Sequence, residues 1–177
     1  KAMGYSREGD SVRFIDAPAK ANWKAAKNQL RLLGALNPEN ELKLSAFGEQ
    51  LAELGCDPRE GTMILKGCEM GCGADAIALA AIRSSRRLVT RSDALSNFRV
   101  SAKSDLLNLL ALYRKAEEEK FSYKWCRENF VSPQALQEVR KNIDDYTKRA
   151  DKMGYKVKST THVPEKICEA VLSGLPD

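Results

Sequence analysis

The chain has 177 residues, of which 43% are hydrophobic and 30% charged, and a net charge of +5. That length can bury one good core or two small ones, and the composition is that of an ordinary soluble globular protein. No apolar run approaches the length of a membrane span and no signal-peptide pattern opens the chain, so a membrane partner is not expected. Five cysteines, an odd number at irregular spacing, favour a reducing intracellular setting and leave nucleus or cytoplasm open.

Residues 1–13 are polar and glycine-containing and read as a lead-in. Pro18 can open a helix with Trp23, Ala26, Leu30 and Leu33 on one side, at spacings of three and four, while Lys20, Lys24, Lys27 and Arg31 fall largely on the other. Gly34 suits the left-handed position that ends it. Leu36 and the alternating pair Leu42 and Leu44 flank the turn signal Asn37-Pro38-Glu39-Asn40, which predicts a short β-hairpin. Ser45 can cap a second helix carrying Phe47, Leu51 and Leu54. Helix, hairpin, helix is the core of a small winged-helix unit, expected within residues 1–56 and expected to lean on the helices after it.

Asp57-Pro58-Arg59-Glu60 is a stronger start, with Asp57 at N-cap, Pro58 at N1 and Glu60 at the capping-box spacing. From there helix is expected almost throughout. Met63, Ile64, Cys68 and Cys72 line one side, and the helix loosens at Gly71 and Gly73. Ala74 to Ile82 is apolar nearly all round, which predicts a buried helix with close neighbours. Residues 83–103 break the pattern and read as a long surface connection. Ser104 or Asp105 then caps a helix with Leu106, Leu109, Leu110 and Tyr113, and Ser122 starts a short one carrying Trp125. Ser132-Pro133 opens the longest helix, with Leu136, Val139, Ile143, Tyr146, Ala150 and Met153 on its stripe and Gly154 at its end. On its far side Asp144 with Lys148 and Asp145 with Arg149 are favourable pairs. Residues 155–162 are a basic, threonine-rich loop, and Pro164 to Leu172 a last helix before Gly174.

Little here suits catalysis. The one histidine, His162, sits in a loop with no visible partner, and Gly71-Cys72-Gly73 lacks the length and the Lys-Ser/Thr ending of a phosphate loop. No catalytic residue and no cofactor is therefore assigned to this chain. Cys68 and Cys72 have i,i+4 spacing, but no second paired ligand spacing completes a zinc site, so core packing is the default and no metal is expected. Charge is more informative. Between Arg83 and Lys103 stand Arg83, Arg86, Arg87, Arg91, Arg99 and Lys103 against the single acid Asp93, a local excess equal to that of the whole chain. A basic segment of this kind can neutralise phosphates without reading bases.

Leu33-Gly34-Ala35-Leu36, then Leu42 through Leu54, then Asp57-Pro58-Arg59, resemble the helicase-associated region of DEAH-box RNA helicases. Phe14-Ile15-Asp16-Ala17-Pro18 is similar to that family's Phe-x-Asp-Pro-Pro lead-in. Ser104 to Tyr113 and Trp125-Cys126-Arg127-Glu128-Asn129-Phe130-Val131-Ser132, with Leu136 and Val139-Arg140, continue the likeness over nearly the whole chain. It departs at Leu106, where many members have histidine, and at Arg86-Arg87-Leu88-Val89, where a Pro-Phe pair is usual.

The resemblance implies a mainly α chain: a winged-helix-like domain with a short hairpin over 1–56, then an α-helical ratchet-like bundle over 57–177. It implies that Lys1 and Asp177 bound a piece of a longer protein, whose motor domains use ATP and Mg and whose oligonucleotide-binding fold comes after this piece. Single-stranded RNA would be held through its backbone. The basic segment, the long helix with Arg140 and Lys141, and the Asn129-Phe130-Val131-Ser132 junction, with Asn129 and Ser132 as its polar ends, are the candidate contacts. Residues around Trp23 to Leu33 are a candidate surface for a glycine-patch activator. The rival expectation is a helical protein-interaction adaptor without nucleic-acid binding.

Overall fold

A computed structural model describes residues 14–41, 43–158 and 163–175. The lead-in 1–13, Leu42, residues 159–162 with His162, and the last two positions lie outside the described residues. Among the described residues the chain is mainly helical. In order come α1 (Lys20–Leu32), α2 (Ala46–Leu54), α3 (Pro58–Glu69), α4 (Gly73–Ser84), a 3-10 helix (Ser92–Phe98), α5 (Asp105–Glu118), α6 (Tyr123–Glu128), α7 (Pro133–Lys152) and α8 (Pro164–Ser173).

Four of the expected starts are made by the expected chemistry, whereas Pro18 lies ahead of α1, whose N-cap is Ala19, and Ser122 stands at the N-cap of α6 without a side-chain bond. Ser45, Ser104 and Ser132 accept the amides of Gly48, Leu107 and Ala135 on their hydroxyls, each satisfying an orphan donor of the first turn. Asp57 accepts from the Arg59 amide with Pro58 at N1. Gly34 and Gly154 hold φ of +72° and +86°, values that a residue with a Cβ rarely adopts.

The hairpin is not formed as strands among the described residues. In its place is one isolated antiparallel bridge between Leu36 and Leu44, with the Asn37 amide donating to the Lys43 carbonyl at 3.1 Å. Toward the turn the ladder stops because the Lys43 amide, which would extend it, donates instead to the Asn40 carbonyl at 2.8 Å, while Pro38 has no N–H and the amides of Glu39 and Asn40 go to the Asn37 side chain. The Ser45 amide closes the other side of the same bridge by donating to the Ala35 carbonyl at 3.0 Å, and beyond it the Ser45 hydroxyl donates to the Gly34 carbonyl at 2.6 Å as the chain enters α2.

Two further local expectations are replaced by long-range partners. Glu60 does not close a capping box; its carboxylate is buried and accepts from Arg83 Nε of α4 at 3.0 Å. Arg149 does not pair with Asp145 but donates to the Leu54 carbonyl at 3.0 Å, so its charge sits at the C-terminus of α2, where a cation is favoured. The connection 85–104 is also more ordered than a surface loop. Leu88, Val89 and Ala94 are buried and anchor it, while its basic side chains stay outside.

The core falls into two clusters. The first gathers Ala35, Leu51 and Leu54 with α3, with α4 from Ala76 to Ala80, and with Leu110, Ala150, Ile167 and Ala170. The second is built from Ala81, Ile82, Leu88, Val89, Leu112, Tyr113, Cys126, Val131 and the first turns of α7. Ile143 and Tyr146 pack against both. α3 and α4 approach closely because Gly67 has no side chain, and a Cβ there would collide with the Cβ of Ala76. The alanine-rich α4 is buried from Asp75 to Ile82, and its one buried charge, Asp75, meets Arg114 of α5. α1 is the exception: none of its residues is buried, although Leu30 touches the first cluster and Trp23 packs edge-on against Phe14 at 5.9 Å.

Candidate nucleic-acid interface

Two of the stretches singled out in the sequence, the basic connection and the Asn129–Ser132 junction, are brought together. Val89 and Val131 form an antiparallel bridge, the Thr90 amide and hydroxyl both donate to the Phe130 carbonyl, and the Ser132 amide donates to the Leu88 carbonyl at 2.7 Å. Residues 88–90 are thus laced to 130–132, and buried Leu88, Val89 and Val131 nail the seam to the second cluster.

The junction itself is a left-handed helix ending. Asn129 caps α6, the Phe130 amide reaches back to Arg127, and the Val131 amide donates to the Cys126 carbonyl at 2.8 Å. Cys126 and Val131, at the two positions whose hydrophobic contact accompanies this motif, are both buried in the second cluster. The left-handed position is usually glycine, but here it is Phe130 at φ +54°. An L side chain in that region costs about 1–2 kcal/mol. Lys120 and Phe121, between α5 and α6, are left-handed in the same way at φ +53° and +54°.

The candidate residues differ in what already occupies them. Arg83 is held by buried Glu60. Arg91 is clamped by Asp93 through Nε at 3.1 Å and Nη2 at 2.6 Å, and its guanidinium lies 4.5 Å from the Phe130 ring centroid. The same hydrogen bond from Arg91 holds the Asp93 carboxyl below its ordinary value. Arg86 is 81% exposed and stands a loose 3.5 Å from Glu138, about 9 Å along α7 from Ser132. Arg140 covers the ring of Phe121 at 4.3 Å. Arg87, Arg99, Lys103 and Lys141 are exposed and have no ion-pair partner among the described residues. Asn129 donates to the Trp125 carbonyl at 2.9 Å and Ser132 serves as cap, so both side chains already have a local task.

Behind the basic rim, between the end of α4 and the start of α5, lies a cavity of about 280 Å³ lined by Ile82, Ser85, Arg86, Arg87, Leu95 and Leu109 among others. Elsewhere the described residues offer little chemistry. They contain no group of three or more His, Cys, Asp or Glu able to hold a metal. Cys68 and Cys72 do not share a helix: Cys68 lies in the last turn of α3 and Cys72 caps α4. Burial pushes the Cys56 thiol up to about 12 and the Cys68 thiol up to about 11, so neither is a ready thiolate. No helix among the described residues is long and apolar enough to cross a membrane.

The sequence marked the Asn129-Phe130-Val131-Ser132 junction and its polar ends Asn129 and Ser132, but gave the Phe130 ring no role of its own. The left-handed turn there is closed locally by the Arg127 and Cys126 carbonyls, but the ring's pairing with Arg91 spans 39 positions of chain and no local pattern announces it. No family model matches this chain.

Proposed function

We propose that this chain is an accessory piece of an ATP-dependent RNA helicase of the DEAH-box type, guiding single-stranded RNA through its sugar–phosphate backbone. The observation that carries the reading is the seam joining residues 88–90 to 130–132, beside which the exposed guanidinium groups of Arg86, Arg87 and Arg91 gather. A rigid, multiply hydrogen-bonded basic edge suits a strand that slides, because phosphates are the same at every step. In this reading α1, the bridged ribbon and α2 are the winged-helix-like part, and the helices from α3 onward are the ratchet-like part. ATP and Mg belong to motor domains elsewhere in the parent protein, which supply the motion. An oligonucleotide-binding fold lies beyond α8, and the exposed face of α1 is the surface for a glycine-patch activator.

Affinity for oligouridylate, measured at a series of salt concentrations, tests the reading. Arg87, Arg99 and Lys103, the cations of the connection without an ion-pair partner among the described residues, correspond to a log–log salt slope of about −2 for a single strand. Replacing Arg87, Arg99 and Lys103 together by alanine brings that slope close to zero and weakens binding. No binding at low salt, or an unchanged slope in the triple variant, overturns the proposal. The adaptor reading rests on α1, a helix with no buried residue, and predicts no binding of oligouridylate at any salt concentration.

A further inference from the structure

Two phenylalanines of this chain share an unusual setting, and only one of them is explained by packing. Phe121 and Phe130 are both left-handed and both lie under an arginine. Phe121 also packs against Tyr113 at 5.8 Å and belongs to the rim of the second cluster. Phe130 belongs to neither cluster and is 42% exposed. The turn it occupies is closed by backbone hydrogen bonds and flanked by buried Cys126 and Val131, and neither feature uses its ring. Glycine would make the same turn without strain. The turn itself therefore gives no reason for an aromatic ring, and the one partner of the ring given above is the Arg91 guanidinium at 4.5 Å; a strained residue on a surface is a pointer to function.

What surrounds the ring indicates its ligand. Arg91 is fixed against it by two hydrogen bonds to Asp93, while Thr90 and Ser92 beside it are polar and exposed. An apolar protein hot spot would want a desolvated rim, whereas here the rim is charged and wet. A planar ring with a guanidinium beside it suits a nucleic-acid base, which offers a π-face whatever its identity.

We infer that Phe130 is a stacking platform for one unpaired base of a single strand, with Arg91 locking the ring and facing the adjoining phosphate. The inference rests on the RNA reading and adds to it, since contact with the backbone alone would leave the ring idle.

The test compares the chain's binding to oligouridylate and to an abasic oligonucleotide of equal length, by fluorescence anisotropy. The expected result is that the abasic strand binds about tenfold more weakly than oligouridylate. Phe130→Gly is then expected to bind oligouridylate only as well as the abasic strand, with the abasic affinity and salt slope unchanged. Phe130→Leu keeps the apolar bulk and the backbone strain and is expected to lose the same discrimination, whereas Phe130→Tyr keeps it. Equal affinity of the unaltered chain for both strands overturns the stacking role and leaves the backbone reading standing. So does discrimination that survives in Phe130→Gly or Phe130→Leu. Failure of the unaltered chain to bind either strand overturns both.

Discussion

Replacing Arg83 by alanine strips buried Glu60 of its cation, and the consequence separates two kinds of basic residue that look alike in the sequence. The Glu60 side chain is 10% exposed and that of Arg83 30%, with 3.0 Å between Nε and Oε1. Breaking a fully buried pair costs about 3–5 kcal/mol, because the surviving charge is left desolvated. Water reaches the arginine side here, so screening lowers the figure to about 2 kcal/mol. For a chain of this size that is a loss of about 4–8 °C in Tm. Arg87→Ala, which removes an exposed cation with no ion-pair partner among the described residues, is expected to leave Tm within about 1 °C while weakening oligonucleotide binding. Differential scanning calorimetry and anisotropy on the two variants give the four numbers needed. A double replacement of Glu60 and Arg83 by methionine should recover most of the lost stability. An Arg83→Ala protein that melts with the unaltered chain, or an Arg87→Ala protein that melts several degrees below it, refutes the reasoning.

Gly67→Ala is expected to cost about 1–3 kcal/mol despite alanine's better helix propensity, because the new methyl meets Ala76 on the facing helix. Urea unfolding monitored by circular dichroism reads this as a lower midpoint with an unchanged slope. Stability should also fall at alkaline pH. Burial holds the Cys56 and Cys68 thiols at about 12 and about 11 against an ordinary 9.0, so the unfolded chain loses these protons first. The stabilisation is complete below pH 9 and disappears as pH rises toward 12; replacing both cysteines by alanine removes this part of the pH dependence, and an identical alkaline limb in the double variant counts against it.

Four helix starts were legible because each is written in three or four adjacent residues. Ser45, Asp57, Ser104 and Ser132 needed only their own neighbours to act as caps. The buried character of α4 was legible for the same reason, since alanine and isoleucine all round leave a helix no polar face to show. Interactions between distant positions were not. Nothing near Glu60 marks it for Arg83 rather than for its own N-terminus, and nothing near Asp75 points to Arg114, 39 positions away. The hairpin failed as strands because Pro38 has no amide, the Asn37 side chain takes those of Glu39 and Asn40, and the Lys43 amide turns to Asn40. At the candidate interface, clustering of basic residues found the right segment but not the division of labour within it. Arg83 and Arg91 look the same in sequence as Arg87, yet Glu60 and Asp93 hold them.

The nakedness of α1 sets how this molecule should come apart. A helix of 13 residues on its own is at the margin of stability in water, and this one adds no buried side chain to either cluster. Its amides should therefore exchange with deuterium through a local fraying that leaves the rest intact, at free energies close to zero, while those of α3 and α4 exchange only when the whole core opens. Whatever settles on α1 would then raise its protection from the bottom of the scale, without touching the cooperative melt of the body behind it.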